Sequence, residues 1–190
     1  LAKDMRVLVI DDHIEIPEGL ISIPPREIQV GKVAAELAWL ITQGNGRILV
    51  SCGRKDSKIH EGRLESFCNY IKENKPELII ELVTGYTRNM DHRGELYKNA
   101  CEALGKYSDI CLIYALTSHD NRAFVEALEK HGKNKKVPII GTDLNEETLE
   151  FLKQKRMSAV IDQNPYDKGY MAFKIMVDCL IKNMSVPDVI

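Results

Sequence analysis

The sequence predicts an α/β protein with a three-layer α/β/α arrangement around a parallel sheet. Three observations carry this. Short runs that are apolar throughout recur along the chain, such as residues 6–10 (RVLVI) and 47–51 (RILVS). Longer segments between them carry apolar residues at helical spacing. Turn formers separate the two kinds, among them Asp11-Asp12, Pro24-Pro25 and Gly44-Asn45-Gly46. Strands without a polar face need helices on both sides, and strands alternating with helices are joined as parallel crossovers.

The elements follow in order. Residues 6–10 form a first strand and 20–23 a second, stopped by Pro24-Pro25. A helix covers 26–43, with Ile28, Val33, Ala34, Leu37, Leu40 and Ile41 recurring at helical spacing, and the Gly44–Gly46 turn ends it. Residues 47–51 are a buried strand. The segment 57–72 is helical, with Ile59, Leu64, Phe67 and Ile71 on one side. Strands at 78–83, 110–115, 137–140 and 159–161 then alternate with helices at 92–106, 121–130, 145–154 and 166–181. Pro165 opens the last helix, where a missing N–H costs nothing. Trp39 falls on helical spacing and is expected in the core.

Length and composition narrow the function. With 190 residues and 44% hydrophobic content, the chain can bury a real core. A formal net charge of −2 gives no reason to expect nucleic acid on this segment, and Lys133, Lys135 and Lys136 read as a solvated loop. No apolar stretch approaches the roughly 18 residues of a membrane span. The five cysteines, Cys52, Cys68, Cys101, Cys111 and Cys179, form no C-x-x-C pair, which favours a reducing compartment and a cytoplasmic location. No signal peptide is visible, but the chain begins at Leu1 without an initiator Met, so a leader or a domain upstream stays open.

Catalytic and cofactor motifs are missing. The histidines His13, His60, His92, His119 and His131 show no H-x-x-H or H-E-x-x-H spacing, so no metal site is expected. Ser118 and His119 are adjacent, so their side chains diverge, and there is no G-x-S-x-G. No glycine-rich phosphate loop follows a strand, and no cofactor is implied. The opening MRVLVIDDH resembles a response-regulator receiver. The third-strand Asp that fold requires is replaced by Ser51-Cys52-Gly53, and Pro17 and Pro24-Pro25 break the helix it needs.

What remains is polar residues just after strands, where parallel sheets bind ligands. They are Asp11, Asp12, His13, Cys52, Gly53, Thr84, Gly85, Thr117, Ser118, Thr142, Asp143, Asp162 and Gln163. Asp143, Gln163 and the helix-borne Arg63 suit sugar hydroxyls: a carboxylate accepts, a guanidinium donates as a planar fork, and an amide does both. Each alone has a structural reading as a cap or a solvated side chain.

Four stretches in order add a resemblance. They are REIQVGKVAAELAWLITQGNG (26–46), GRLESF (62–67), IYALTSHDNRAFVEALE (113–129) and the run from 139 onward with Ile-Gly-x-Asp and Ile-x-Gln-x-Pro-x-x-x-Gly. Together they resemble the effector-binding domain of lac-repressor-type (LacI/GalR) regulators, a periplasmic-binding-protein-like fold. That resemblance implies a ligand site of Arg63, Asp143, Thr117, Ser118, Gln163 and Tyr166, the last as a stacking ring. It implies that 1–24 end an N-terminal lobe, 25–162 form most of a C-terminal lobe, and 163–190 cross the hinge into a return helix. Ser66 stands in the family's Gly position, and Ser118 where the family carries Asn or Asp.

By the same resemblance the protein senses a small sugar or polyol in a cleft between lobes and is not an enzyme. DNA would be bound by a helix-turn-helix head outside this segment, in a homodimer. Apolar faces around Val7, Val9 and residues 171–180 would be covered by another copy or a rearranged terminus. The alternatives are a sugar receptor of a transporter and the sensor of a hybrid signalling protein.

Overall fold

A computed structural model describes residues 7–12, 21–54, 56–85, 92–133 and 136–182. The chain divides into two compact units. One joins Leu1–Arg26 to Asn164–Ile190, and the other is Glu27–Gln163. His13, Leu20 and Lys135 lie outside the described residues.

The larger unit is a five-stranded sheet in the order β4-β3-β5-β6-β7. Its strands are β3 (Gly46–Ser51), β4 (Leu78–Val83), β5 (Ile110–Tyr114), β6 (Ile139–Thr142) and β7 (Ala159–Ile161), and every pairing is parallel. The helices are α1 (Glu27–Thr42), α2 (Lys58–Asn74), α3 (His92–Lys106), α4 (Asn121–Lys130) and α5 (Glu146–Lys153). Alternation along each strand sends successive side chains to opposite faces. Ile48, Val50, Leu112 and Tyr114 pack with Ala34, Ala35, Ala38 of α1 and Phe67, Ile71 of α2. Leu49, Ile113 and Ala115 pack on the other face with Leu96 and Ala100 of α3, Phe124 and Leu128 of α4, and Phe151 of α5. Two separate cores on one sheet make the three layers, as the apolar strand runs predict.

The α1–α2 contact depends on a small residue. A Cβ at Gly31 would collide with Ser66 Oγ and the Arg63 carbonyl. Ser66 Oγ in turn donates to the Arg63 carbonyl at 3.1 Å. This close approach brings α2, and with it Arg63, tight against the sheet.

The smaller unit holds β1 (Leu8–Ile10) paired in parallel with β2 (Ile21–Ile23), and the helix α6 (Pro165–Ile181). Ile175 and Cys179 of α6 pack on Ile21, with Leu8 and Ile23 against them. Lys168 Nζ meets Asp11 Oδ1 at 2.7 Å. Tyr166, Tyr170, Phe173 and Leu180 are exposed on α6, so the helix is apolar on more than the side it buries.

Three expectations need correction. The strand expected from Val137 begins at Ile139, because the Val137 N–H is used by a turn bond to Lys133 O at 3.2 Å and Pro138 has no N–H to give. The same shift makes Thr142 the last strand residue and not the first of the loop. Trp39 is 37% exposed, and Lys75 Nζ sits 3.5 Å from its ring centroid, so it is a surface ring under a cation and not core.

Candidate functional site

The carboxyl ends of β3, β5, β6 and β7 gather a connected polar set within the larger unit. Arg63 lies one and a half turns into α2, a helix capped by Ser57, whose side chain accepts the His60 N–H. Its side chain is drawn inward: Arg63 is only 3% exposed. Arg63 Nη1 donates to the Leu116 carbonyl at 2.7 Å, and Nη2 donates to Gln163 Oε1 at 3.0 Å. Gln163 Nε2 then donates to Asp143 Oδ1 at 2.6 Å. The amide thus faces the guanidinium with its acceptor and the carboxylate with its donor. Arg63 Nε is buried and has no hydrogen-bond partner among the described residues. A buried donor left unmet costs about 1–3 kcal/mol, so the fold holds Arg63 here at an energetic cost.

Asp143 is held in the left-handed region, at φ +65°, immediately after β6. Its N–H donates to Ile161 O at 2.9 Å and its carbonyl accepts from Thr148 Oγ1 at 3.1 Å. Asp tolerates this backbone better than most residues. Asn145 caps α5 in a box with Thr148, so the loop is fixed from both sides and the carboxylate is presented at the strand tip.

Sequence reasoning missed a second layer behind these groups. A 3-10 turn covers Ser118–Asp120 between β5 and α4. Asp120 is fully buried and accepts from Ser51 Oγ at 2.6 Å and from the Thr117 N–H at 3.1 Å. Ser51 Oγ also accepts the Leu116 N–H at 2.8 Å. Ser51 and Asp120 therefore fix the peptide whose carbonyl anchors Arg63. Two signals were present in the sequence: Ser51 closes an otherwise apolar strand, and Thr117-x-x-Asp120 has capping-box spacing.

His60 was also missed as a site residue. It is half-buried on α2, one turn before Arg63, and its Nδ1 accepts the Arg54 N–H at 2.9 Å. Its pKa is lowered from 6.5, first by burial and then by the Arg63 charge, with Asp120 and Asp143 pulling the other way. Tyr114 is wholly buried beneath the site, stacked on Phe67 at 4.7 Å, and burial pushes its hydroxyl pKa up.

Of the expected set, Arg63, Gln163 and Asp143 come together in one hydrogen-bonded chain. Thr117 is buried and Ser118 half-buried beside them, at the end of β5 and the start of the 3-10 turn. Tyr166 belongs to the smaller unit, in the first turn of α6, and is 79% exposed. Among the described residues, no group of three His, Cys, Asp or Glu is placed to hold a metal ion, and no helix is long and apolar enough to cross a membrane.

A parallel sheet with polar groups gathered at its strand ends is shared by many folds. The family model for the periplasmic binding protein domain decides among them, because it matches residues 2–183. The chain belongs to the periplasmic binding protein domain family.

Relatives of this periplasmic binding protein domain agree. It is 30% identical over 108 residues to the D-allose-binding periplasmic protein of Escherichia coli (strain K12), covering 57% of this chain and 34% of that protein. Among solved structures it resembles GanP, a glucose-galactose binding protein from Geobacillus stearothermophilus, with a TM-score of 0.83 at 21% identity. That match covers 99% of this chain and 65% of GanP. It also resembles an ABC transporter solute binding protein from Agrobacterium vitis with bound D-fucose, with a TM-score of 0.80 at 20% identity, over 98% of this chain and 63% of that one. At such identities the two structures speak for the fold. The chain spans less than two thirds of the length of each of the three.

Proposed function

We propose that this protein is a carbohydrate receptor that binds a small sugar or polyol on the carboxyl edge of the larger unit's sheet. The observation that carries the proposal is Arg63: a buried guanidinium whose fork is held by a carbonyl and an amide, with Nε unmet. Pre-fixed donors and acceptors of this kind suit a ring of hydroxyls, because each hydroxyl both donates and accepts. Arg63 donates, Asp143 accepts, Gln163 links the two, and Thr117 and Ser118 line the same edge.

The relatives named for D-allose, for glucose and galactose, and with D-fucose bound support a sugar over other solutes. They also move the weight from the regulator that the motif order implied to a receptor serving transport. One observation favours the regulator and a cytoplasmic location: all five cysteines are free. On that second reading, a separate helix-turn-helix head and pairing of two copies would transmit binding to DNA. The first 60 codons of the gene separate the two, a helix-turn-helix supporting regulation and a leader supporting transport.

The test of the site is calorimetry with D-allose, D-glucose, D-galactose and D-fucose. Arg63→Ala and Asp143→Ala are expected to lose binding that the unaltered chain shows. Binding by both variants as strong as that of the unaltered chain would remove this edge as the site.

A further inference from the structure

Resting on that reading, we infer that His60 is a further specificity-determining residue of the sugar site, acting as a neutral imidazole that donates from Nε2. The geometry fixes the tautomer. His60 Nδ1 accepts the Arg54 N–H at 2.9 Å, so Nδ1 carries no proton and the ring's proton lies on Nε2. Among the described residues no protein group takes Nε2.

The ring's position is set as firmly. Gly53, at φ +63°, turns the chain after β3 so closely that a Cβ there would lie 2.9 Å from His60 Cβ and 2.8 Å from Leu116 Cδ2. His60 therefore packs beside Leu116, the residue whose carbonyl anchors Arg63. One turn of α2 separates His60 from Arg63, which puts the two side chains on the same face of the helix.

The charged groups around His60 come from every neighbouring element. Arg54 and Asp56 lie in the β3–α2 connection, Arg63 on its own helix, Asp120 in the 3-10 turn and Asp143 after β6. Burial and Arg63 outweigh the two acids, so the ring is neutral at pH 7. Protonation would put a hydrogen on Nδ1, facing the Arg54 N–H, and a second cation beside Arg63. The ring would have to turn, and its donor would leave the sugar. The sugar itself does not titrate in this range. Binding therefore weakens as pH falls through the His60 pKa, which lies below 6.5, and by linkage a bound sugar lowers that pKa further.

The experiment measures sugar affinity by calorimetry at pH 7.5 and pH 5.5 on the whole chain, and His60 titration by NMR with and without the same sugar. The expected result is about a threefold to fivefold loss of affinity at the lower pH, matched by a fall of about one unit in the His60 pKa on saturation. His60→Gln keeps an amide donor without a titrating ring and is expected to bind at both pH values alike. The NMR arm needs no variant, so a misfolded substitution leaves the inference testable. Binding that Arg63→Ala abolishes, together with an unchanged pH profile in His60→Gln or a His60 pKa indifferent to sugar, overturns the inference alone. Absence of binding by every sugar overturns the receptor reading and this inference with it.

Discussion

Two arginines brace the larger unit's sheet, one near each end of its strands, and they are satisfied in opposite ways. Arg47, at the amino end of β3, meets Glu81 at 3.2 Å and Asp109 at 3.2 Å, with its guanidinium 4.0 Å from the Tyr107 ring centroid. Arg63, at the carboxyl end, is more deeply buried and meets a backbone carbonyl and a neutral amide. Asp143 is joined to it through Gln163. Arg47 spends its donors and its charge inside the protein. Arg63 keeps one donor and part of its charge uncommitted in a place where water is scarce. A cation paired with acids on every side ties strands together; one held by neutral groups is poised for something brought from outside.

The largest expected effect separates the two arginines directly. Arg63→Ala should cost about 2–4 kcal/mol in sugar binding, the usual result of removing a buried charged hydrogen-bonding group, whereas Arg47→Ala should leave the dissociation constant unchanged. Calorimetry on both variants with one sugar checks this, and equal losses would dissolve the contrast. Next comes the layer behind Arg63. Asp120→Ala strands the Ser51 hydroxyl and the Thr117 N–H without their acceptor, which should lower stability by about 2–3 kcal/mol in urea unfolding. Gly31→Ala should cost about 1–3 kcal/mol by forcing α2 away from α1, with sugar affinity falling alongside because Arg63 rides on α2. Arg47→Ala sits at the small end, at about 1 kcal/mol of stability, because its partners are half-exposed and water replaces much of what is lost.

Thiol chemistry gives a final, smaller check. Burial raises the Cys68 pKa to about 11, so its thiol should react with iodoacetamide far more slowly than a free cysteine at pH 8. Timed alkylation followed by mass spectrometry reads the rate. Fast labelling of Cys68 would mean that α2 is less tightly seated on the sheet than Phe67 and Ile71 indicate.

The sheet was legible because its strands are apolar on both faces, a pattern that leaves little choice but helices above and below. β3, β4 and β7 lie where their apolar runs lie. β6 was misplaced because a proline and a turn bond, and not hydrophobicity, decide where its ladder begins. Arg63, Asp143 and Gln163 were legible because long polar side chains near strand ends stand out against an apolar background. Ser51, Asp120 and His60 were not. A serine closing a strand, an acid in a helix's first turn and a histidine on an amphipathic helix all have ordinary roles, and only three-dimensional adjacency separates those roles from this one. Trp39 shows the reverse error: helical spacing places a residue on a face, but not whether the rim of that face meets solvent.

The backbone at Asp143 constrains more than one carboxylate. At φ +65° the position admits Gly, Asn and Asp readily, and most other residues at about 1–2 kcal/mol of backbone cost. Any change of ligand preference made at this position must therefore choose among an acid, an amide and no side chain at all. A lineage adapting this protein to a new solute has three inexpensive options there. Wider chemical variety has to come from neighbours in ordinary conformations, Gln163 first among them.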